Sequence, residues 1–133
     1  MKYLLDTNTC IEYLNGRSPR VRERLRTKGR EEIVVCSVVK AELSYGSERS
    51  ANPQQALVWL EEFLAPYRSF PFDDECARVY GQIRAQLASI GLPIGPNDLL
   101  IAATAVTNGA VLVTHNTHEF SRVEGLSCED WET

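Results

Sequence analysis

The chain has 133 residues, with 14 lysines and arginines against 18 aspartates and glutamates, so its formal charge is −4. A composition of 44% hydrophobic and 24% charged residues excludes a disordered or fibrous chain. The length predicts one compact domain over residues 1–133, and the net acidity argues against a general polycation that coats nucleic acid.

Short apolar strands alternate with helices along the chain. The first half predicts a strand at Lys2–Leu5, a helix capped by Thr7-Asn8-Thr9 and running through Leu14, a helix between Ser18-Pro19 and Gly29, a strand at Ile33–Cys36, a helix from Ser37 to Glu48 and a helix opened by Asn52-Pro53. The second half predicts an edge strand at Phe70–Phe72, a helix from Asp73 to Gly91, a helix opened by Pro96 and closed by Asn108-Gly109, a strand at Ala110–Val113 and a strand near Leu126–Cys128. Strands separated by helices predict an α/β/α sandwich with a central parallel sheet.

Neither export nor membrane insertion is expected. The longest weakly polar stretch, Leu99–Val106, is far shorter than the ~20 residues that span a bilayer, and the first apolar run stops at Asp6. The 4 cysteines form no C-x-x-C pair, so we expect reduced thiols in or near the core. These features predict a cytoplasmic protein.

Four acidic residues follow predicted strands or begin predicted helices. Asp6 follows the first strand, and Glu42 lies about one turn into the helix after the second strand. Asp98 lies in the first turn of the helix opened by Pro96, and Glu119 follows the strand Ala110–Val113. Each acid alone is explained by a helix cap, the helix dipole or an exposed face. Together they are expected at the carboxyl edge of the sheet, where ligands bind in such folds.

Clustered carboxylates need a compensating cation, because like charges raise one another's pKa. Hard oxygen ligands of this kind suit Mg²⁺ or Mn²⁺ rather than zinc. A divalent ion held by two or three carboxylates keeps positions for a phosphate oxygen and an attacking water. The pattern therefore indicates phosphoryl chemistry and leaves the substrate open.

Four motifs resemble those of PIN-domain nucleases and, within that family, of the VapC toxins of bacterial type II toxin–antitoxin pairs. In chain order they are Leu4-Leu5-Asp6-Thr7-Asn8, the stretch Ser37–Gly46 around Glu42, Gly95-Pro96-Asn97-Asp98, and Val113-Thr114-His115-Asn116 with Glu119-Phe120. They stand in the family's order and span nearly the whole chain. The stretch Gln82–Leu87, the Gly-Pro-x-Asp block and the terminal Glu129-Asp130-Trp131 resemble the branch that cuts initiator tRNA.

The resemblance implies a PIN-like fold and a Mg²⁺- or Mn²⁺-dependent endoribonuclease that cuts tRNA, in particular initiator tRNA. By position, it assigns catalytic roles to Asp6, Glu42, Asp98, Glu119 and Asn116. It assigns metal ligation to Asp6, Asp98 and Glu42, and supporting hydrogen bonds to Thr7, Asn8 and Thr114. Many PIN domains carry an aspartate where this chain has Asn116, so the resemblance leaves the number of metal ions, one or two, open.

The same resemblance implies protein partners. These are a VapB-like antitoxin, a second copy of the chain in a homodimer, and a larger toxin–antitoxin complex that meets operator DNA only through the antitoxin. In the family, such interfaces use helical surface like that of the helix Pro53–Ala65. Trp59 does not share the core face of that helix and is expected to mark an exposed apolar patch.

Half of the basic residues fall in one short stretch, because 7 of the 14 lie between Arg17 and Arg30. The candidate RNA-binding residues in it are Arg17, Arg20, Arg24 and Lys28. Such a run is either a solvated helical face or a surface that follows an RNA backbone. The distribution of charge, unlike the net charge, is compatible with an RNA partner.

Three alternatives stay open. His115 and His118 flank Asn116, and a histidine-driven transesterification would leave a cyclic phosphate where metal-activated water leaves a 5′-phosphate. The second alternative is a catalytically weak binding module that acts with a DNA-binding antitoxin at its operator. A small phosphatase is less favoured, because Asp6-Thr7-Asn8 lacks the second acid of an Asp-x-Asp pair.

Overall fold

Five short strands form the centre of the fold in the computed structural model, which describes residues 1–133. They are β1 (Tyr3–Leu5), β2 (Ile33–Cys36), β3 (Arg68–Phe70), β4 (Val111–Val113) and β5 (Ser127–Glu129). Their order across the sheet is β3-β2-β1-β4-β5, and every neighbouring pair is parallel. All five carboxyl ends therefore meet at one edge, with the end of β1 in the middle.

Seven helices connect and flank the strands. They are α1 (Thr7–Leu14), α2 (Pro19–Arg26), α3 (Ser37–Glu48), α4 (Pro53–Leu64), α5 (Asp74–Ser89), α6 (Pro96–Asn108) and α7 (Thr117–Phe120). No helix combines the length and the apolar character that a membrane crossing requires. Parallel strands need such crossover connections, so the predicted central parallel sheet flanked by helices is confirmed.

Both faces of the sheet are covered. All four residues of β2 are buried, and successive strand residues point to opposite faces. Helix α6 is buried on most of its surface through Leu99, Ile101, Ala102, Ala103 and Ala105. The apolar stretch that is too short for a membrane is therefore a core helix.

Several predicted boundaries differ from the observed ones. The edge strand β3 ends at Phe70 instead of running to Phe72, because Pro71 cannot donate a ladder hydrogen bond. Helix α2 ends at Arg26, and Gly29 instead begins a short 3-10 turn. Helix α7 was not predicted at all.

Two caps also differ from the predicted ones. Asp6, not the Thr7-Asn8-Thr9 stretch, caps α1. Cys36 is the N-cap of α3 and gives no side-chain hydrogen bond, so Ser37 is the first helical residue instead of the cap. The four cysteines are free, three of them buried and Cys128 partly buried.

Candidate acidic site at the carboxyl edge of the sheet

Asp6 lies where β1 passes into α1 and is only 6% exposed. Its Oδ1 accepts a hydrogen bond from the Thr9 backbone N–H at 2.8 Å. The Asp6 N–H and the Thr9 hydroxyl both donate to the Val113 carbonyl, at 3.0 and 3.2 Å, which ties this turn to β4. Burial raises the pKa of Asp6, although hydrogen bonds from Thr114 and Thr9 oppose that shift. One carboxylate thus caps a helix and stands at the centre of the edge.

Glu42, on α3, is held at both carboxylate oxygens. The Thr7 hydroxyl donates to Oε1, and the Asn97 side-chain amide donates to Oε2 at 3.1 Å. Thr7 begins α1, and Asn97 lies in the first turn of α6. This carboxylate therefore links three helices, and its orientation is set from two sides.

The pKa of Asp98 reflects the negative charge of the whole site. Burial and the negative charges of Asp6, Glu119 and Glu42 raise its pKa to about 6 from an ordinary value of 3.8. These four acids, which we term the carboxylate quartet, come from the end of β1, from α3, from α6 and from α7. The structure thus brings together the four acids that the sequence placed after strands and in first helical turns.

Asn116 positions the fourth acid. Its side-chain amide donates to Glu119 Oε2 at 3.0 Å, and its backbone N–H donates to the Thr114 hydroxyl, also at 3.0 Å. Thr114 is fully buried at the end of β4. Asn116 is the N-cap residue of α7, so this short helix presents Glu119 to the edge. An aspartate at 116 could not donate this hydrogen bond.

We expect Asn116→Asp to destabilise the chain by about 1 kcal/mol when no divalent cation is present, because it loses a donor and adds charge beside Glu119. Millimolar Mn²⁺ should restore most of the stability that the added charge removes. Urea unfolding with and without Mn²⁺ measures this difference. Asn116→Ala is the matched control, because it removes the donor without adding charge. Equal responses of the two variants to Mn²⁺ would contradict the expectation.

One predicted supporting residue is not part of this network. Asn8 is exposed on the first turn of α1, and its side chain makes no hydrogen bond. The structure therefore places Thr7 and Thr114 in contact with the site, through Glu42 and Asn116, but not Asn8.

The quartet suits a divalent cation. The ion pairs of the structure join Arg17 to Glu12, Arg24 to Glu129, Arg78 to Glu75 and His115 to Asp130. None of them includes a quartet carboxylate, so the charge that raises the pKa of Asp98 has no basic partner within the chain. Uncompensated oxygen ligands from Asp6, Glu42 and Asp98 fit a hard ion such as Mg²⁺ or Mn²⁺.

A group missed in the sequence lies beside the quartet. His115 Nδ1 is 3.0 Å from Asp130 Oδ2, and the Glu132 backbone N–H donates to Asp130 Oδ1 at 2.9 Å. Ligand atoms of the three side chains lie within 4.8 Å of one another. The sequence could have indicated this group, because Asp130 and Glu132 follow β5 just as His115 follows β4.

Three of the four candidate RNA-binding residues share one cavity. Arg17, Arg20 and Arg24 line an open cavity of about 730 Å³ together with Glu132. Glu12 and Glu23 line the same cavity, so it carries both signs of charge.

Lys28 lies elsewhere. Its Nζ is 4.5 Å from the centre of the Tyr3 ring, at the start of β1 and therefore at the amino edge of the sheet. Lys28 does not line the cavity that the three arginines share.

A largely apolar groove of about 750 Å³ runs beside the site between α1, α3 and α4. Its walls include Leu14, Trp59 and Phe63, and Glu42 lies at its margin. Trp59 is 61% exposed, as its position off the core face predicts. An exposed tryptophan on such a wall is typical of a protein-binding surface.

Comparisons with known proteins agree with this geometry. Residues 3–126 match the model of a family described as PIN domain. Two relatives named tRNA(fMet)-specific endonuclease VapC, from Salmonella typhimurium and Shigella flexneri, are 39% and 41% identical over 98% of this chain and 98% of their own length. The crystal structure of VapBC2 from Rickettsia felis, bound to a DNA fragment from its promoter, superposes with a TM-score of 0.91 at 38% identity, covering 98% of this chain and 99% of that one.

Proposed function

The chain belongs to the PIN-domain family, and on that premise we propose that it is a toxin endoribonuclease of the VapC kind. It hydrolyses RNA phosphodiester bonds at the carboxylate quartet, and a VapB-like antitoxin neutralises it. One observation carries this proposal. Carboxylates from four separate elements converge where the parallel strands end, and none of them has a basic partner.

In this proposal Asp6, Glu42 and Asp98 hold Mg²⁺ or Mn²⁺. Such an ion, when bound, polarises the phosphate, lowers the pKa of a water molecule and offsets charge on the leaving oxygen. Asn116 carries no charge, and its side-chain NH₂ group donates to Glu119. This arrangement favours one ion over two, since the extra aspartate found in many relatives of the fold is missing.

The chain's own groups hold the ion and orient the reactants. Glu42 is fixed by Thr7 and Asn97, so its oxygens face a water molecule in a defined direction. Burial and the neighbouring carboxylates raise the pKa of Asp98 to about 6 in the metal-free chain, and a bound cation would favour the charged form that serves as a ligand. As the water oxygen bonds to phosphorus, the water gives up a proton, the bond from phosphorus to the 3′ oxygen breaks and that oxygen takes up a proton. The products are a 5′-phosphate and a 3′-hydroxyl.

The proposed substrate is tRNA, and initiator tRNA in particular. The names of the Salmonella and Shigella relatives support this substrate. Arg17, Arg20 and Arg24 are the proposed phosphate contacts, because the three arginines line one open cavity. An RNA substrate and four free cysteines fit a reducing, cytoplasmic location.

We expect the double variant Arg17→Ala/Arg20→Ala to weaken RNA binding and to reduce the salt dependence of the binding constant by a slope of about 2. The loss should be similar for different RNA sequences, since phosphate contacts carry no base information. Fluorescence anisotropy at several salt concentrations measures it. Arg78→Ala, which removes an arginine paired with Glu75 on α5, is the control and should leave the slope unchanged.

Mapping of cellular RNA 5′ ends tests the proposed function directly. Induction of the wild-type chain should produce new 5′-phosphate ends in tRNA, and induction of Asp6→Asn should produce none. Asparagine is as good an N-cap as aspartate, so this variant keeps α1. New 5′-hydroxyl ends, whose upstream fragments carry a 2′,3′-cyclic phosphate, would instead favour chemistry at His115 or His118, and the absence of new ends would reject the nuclease.

The antitoxin is proposed to occupy the groove between α1, α3 and α4. Solved relatives are complexes of VapB and VapC, two of them with DNA bound, which supports this partner and contact with operator DNA through it. The groove passes Glu42, so a segment bound there also blocks the quartet. We further propose a homodimer within the larger complex.

The alternative function is a catalytically weak binding module that acts at the operator with its antitoxin. The DNA-bound relatives are the observation that favours it. In that case Asp6→Asn would change neither growth inhibition nor RNA cleavage. Loss of both, with antitoxin binding retained, supports the nuclease.

A further inference from the structure

A second set of ligand atoms lies outside the quartet, beyond the ends of β4 and β5. His115 follows β4 and Asp130 follows β5, and these neighbouring parallel strands bring an imidazole and a carboxylate to 3.0 Å from each other. Glu132 places a ligand atom within 4.8 Å of both. We propose that His115, Asp130 and Glu132 form a binding site for a divalent first-row transition-metal ion, distinct from the Mg²⁺ or Mn²⁺ site of the quartet.

The ligand types define the class of ion. Mg²⁺ takes oxygen ligands, whereas imidazole nitrogen together with carboxylate suits Mn²⁺, Co²⁺, Ni²⁺ or Zn²⁺. A metal–ligand bond of about 2.1 Å places two neighbouring ligand atoms about 3.0–3.4 Å apart. The pair His115 Nδ1 and Asp130 Oδ2 already has this spacing, at 3.0 Å. Glu132 places its ligand atom within 4.8 Å of both, so its side chain must move closer to complete the set.

The backbone that carries the two carboxylates is anchored. Trp131, between them, is 1% exposed, and its indole N–H donates to Glu129 Oε1 at 2.9 Å. Its ring packs on Tyr3, with the ring centres 5.6 Å apart. Asp130 Oδ1 is held by the Glu132 N–H, which leaves Oδ2 on the side of His115. The site is therefore prearranged by a buried tryptophan two residues beyond the end of the edge strand β5.

The local charge also favours a cation. The hydrogen bond that His115 donates to Asp130, together with the charge of Glu132, raises the pKa of His115, so an ion that binds here displaces a proton from the imidazole. The negative charges of Glu12, Asp130 and Asp6 help to raise the pKa of Glu132, while His115 acts in the opposite direction. The side chain of His115 is 62% exposed, so an ion can reach it from solvent.

Titration of the untagged protein with Co²⁺ tests the proposal. The background is the double variant Asp6→Asn/Asp98→Asn in millimolar Mg²⁺, which removes two ligands of the quartet. Calorimetry should give one bound Co²⁺ per chain, and the visible absorption band should report nitrogen and oxygen ligation. On this background His115→Ala should lower the affinity at least about tenfold. His118→Ala, an exposed histidine three residues further on, is the matched control and should not change it.

Glu132→Gln provides a second variant, which should also weaken Co²⁺ binding while circular dichroism confirms the fold. Absence of Co²⁺ binding in the double-variant background would overturn the proposal, as would identical titrations of His115→Ala and His118→Ala. The proposed nuclease activity is not part of this readout, so either proposal can fail without the other.

Discussion

Replacement of Asp98 by asparagine should abolish RNA cleavage and at the same time make the metal-free chain more stable. The carboxylate is proposed to hold the ion, so its loss should lower kcat/KM by at least about 10³-fold. Its charge is raised in energy by burial and by three other carboxylates, as its pKa of about 6 records. Removal of that charge should increase the free energy of unfolding by on the order of 1 kcal/mol, since the half-exposed group is partly screened by solvent.

Asp74 offers a matched control for this variant. It is also an acid in the first turn of a helix, α5, but it is exposed and lies outside the quartet. Asp74→Asn should leave cleavage intact and lower stability by about 0.3–1 kcal/mol, because it loses the favourable interaction with the helix dipole. The two substitutions thus have opposite signs for stability. If the Asp98→Asn protein is less stable or still active, Asp98 is an ordinary acid of a first helical turn.

Stability of the metal-free protein should fall as the pH rises from about 4 through 6. Asp98 has a pKa of about 6 in the folded chain and 3.8 as its ordinary value, so between these values the folded state binds more protons than the unfolded state. The free energy of unfolding then decreases with increasing pH, and the penalty is complete above pH 6. The raised pKa of Asp6 acts in the same direction.

A divalent cation should reverse this trend. An ion at 100 times its dissociation constant stabilises the folded state by about 2.7 kcal/mol, and it binds the charged form of the carboxylates. Urea unfolding between pH 4 and 8, in EDTA and in Mn²⁺, measures both effects. In Mn²⁺ stability should rise towards neutral pH. Identical profiles in the two buffers would contradict a cation site at the quartet.

His115 adds a separate contribution to the pH dependence of stability, and a variant in the same unfolding experiment can remove it. Its raised pKa means that its stabilisation is present below its ordinary value of 6.5 and is lost as the pH rises through the folded pKa. The fall in stability that His115 causes is therefore expected at higher pH than the fall that Asp98 causes. His115→Ala should eliminate the upper part of the EDTA profile and leave the part between pH 4 and 6.

The quartet could be predicted because it depends on one simple rule. Asp6, Glu42 and Asp98 follow strands or begin helices, and parallel strands bring their carboxyl ends to one edge. The rule needs no contact between distant residues. Conversely, Asp130 lies 15 residues beyond His115, and only the pairing of β4 with β5 brings the two together.

The end of α2 explains why the arginine cavity was only partly predicted. Arg17, Arg20, Arg24 and Lys28 were named from one basic run, and the three arginines line one cavity. Lys28 lies beyond Arg26, where α2 ends, with its side chain over the Tyr3 ring at the start of β1. The net charge of −4 is a poor guide to an RNA partner, because it sums carboxylates and arginines that occupy separate surfaces.

The double role of Asp6 has a consequence for how this gene would mutate under selection. A single base change converts an aspartate codon to an asparagine codon, and the asparagine still caps α1. Under the proposed function, cells that survive forced expression are therefore expected to accumulate Asp6→Asn alleles whose product is folded but inactive. This product should still bind the proposed antitoxin, so in a cell that also carries an active copy it would compete with that copy for the antitoxin.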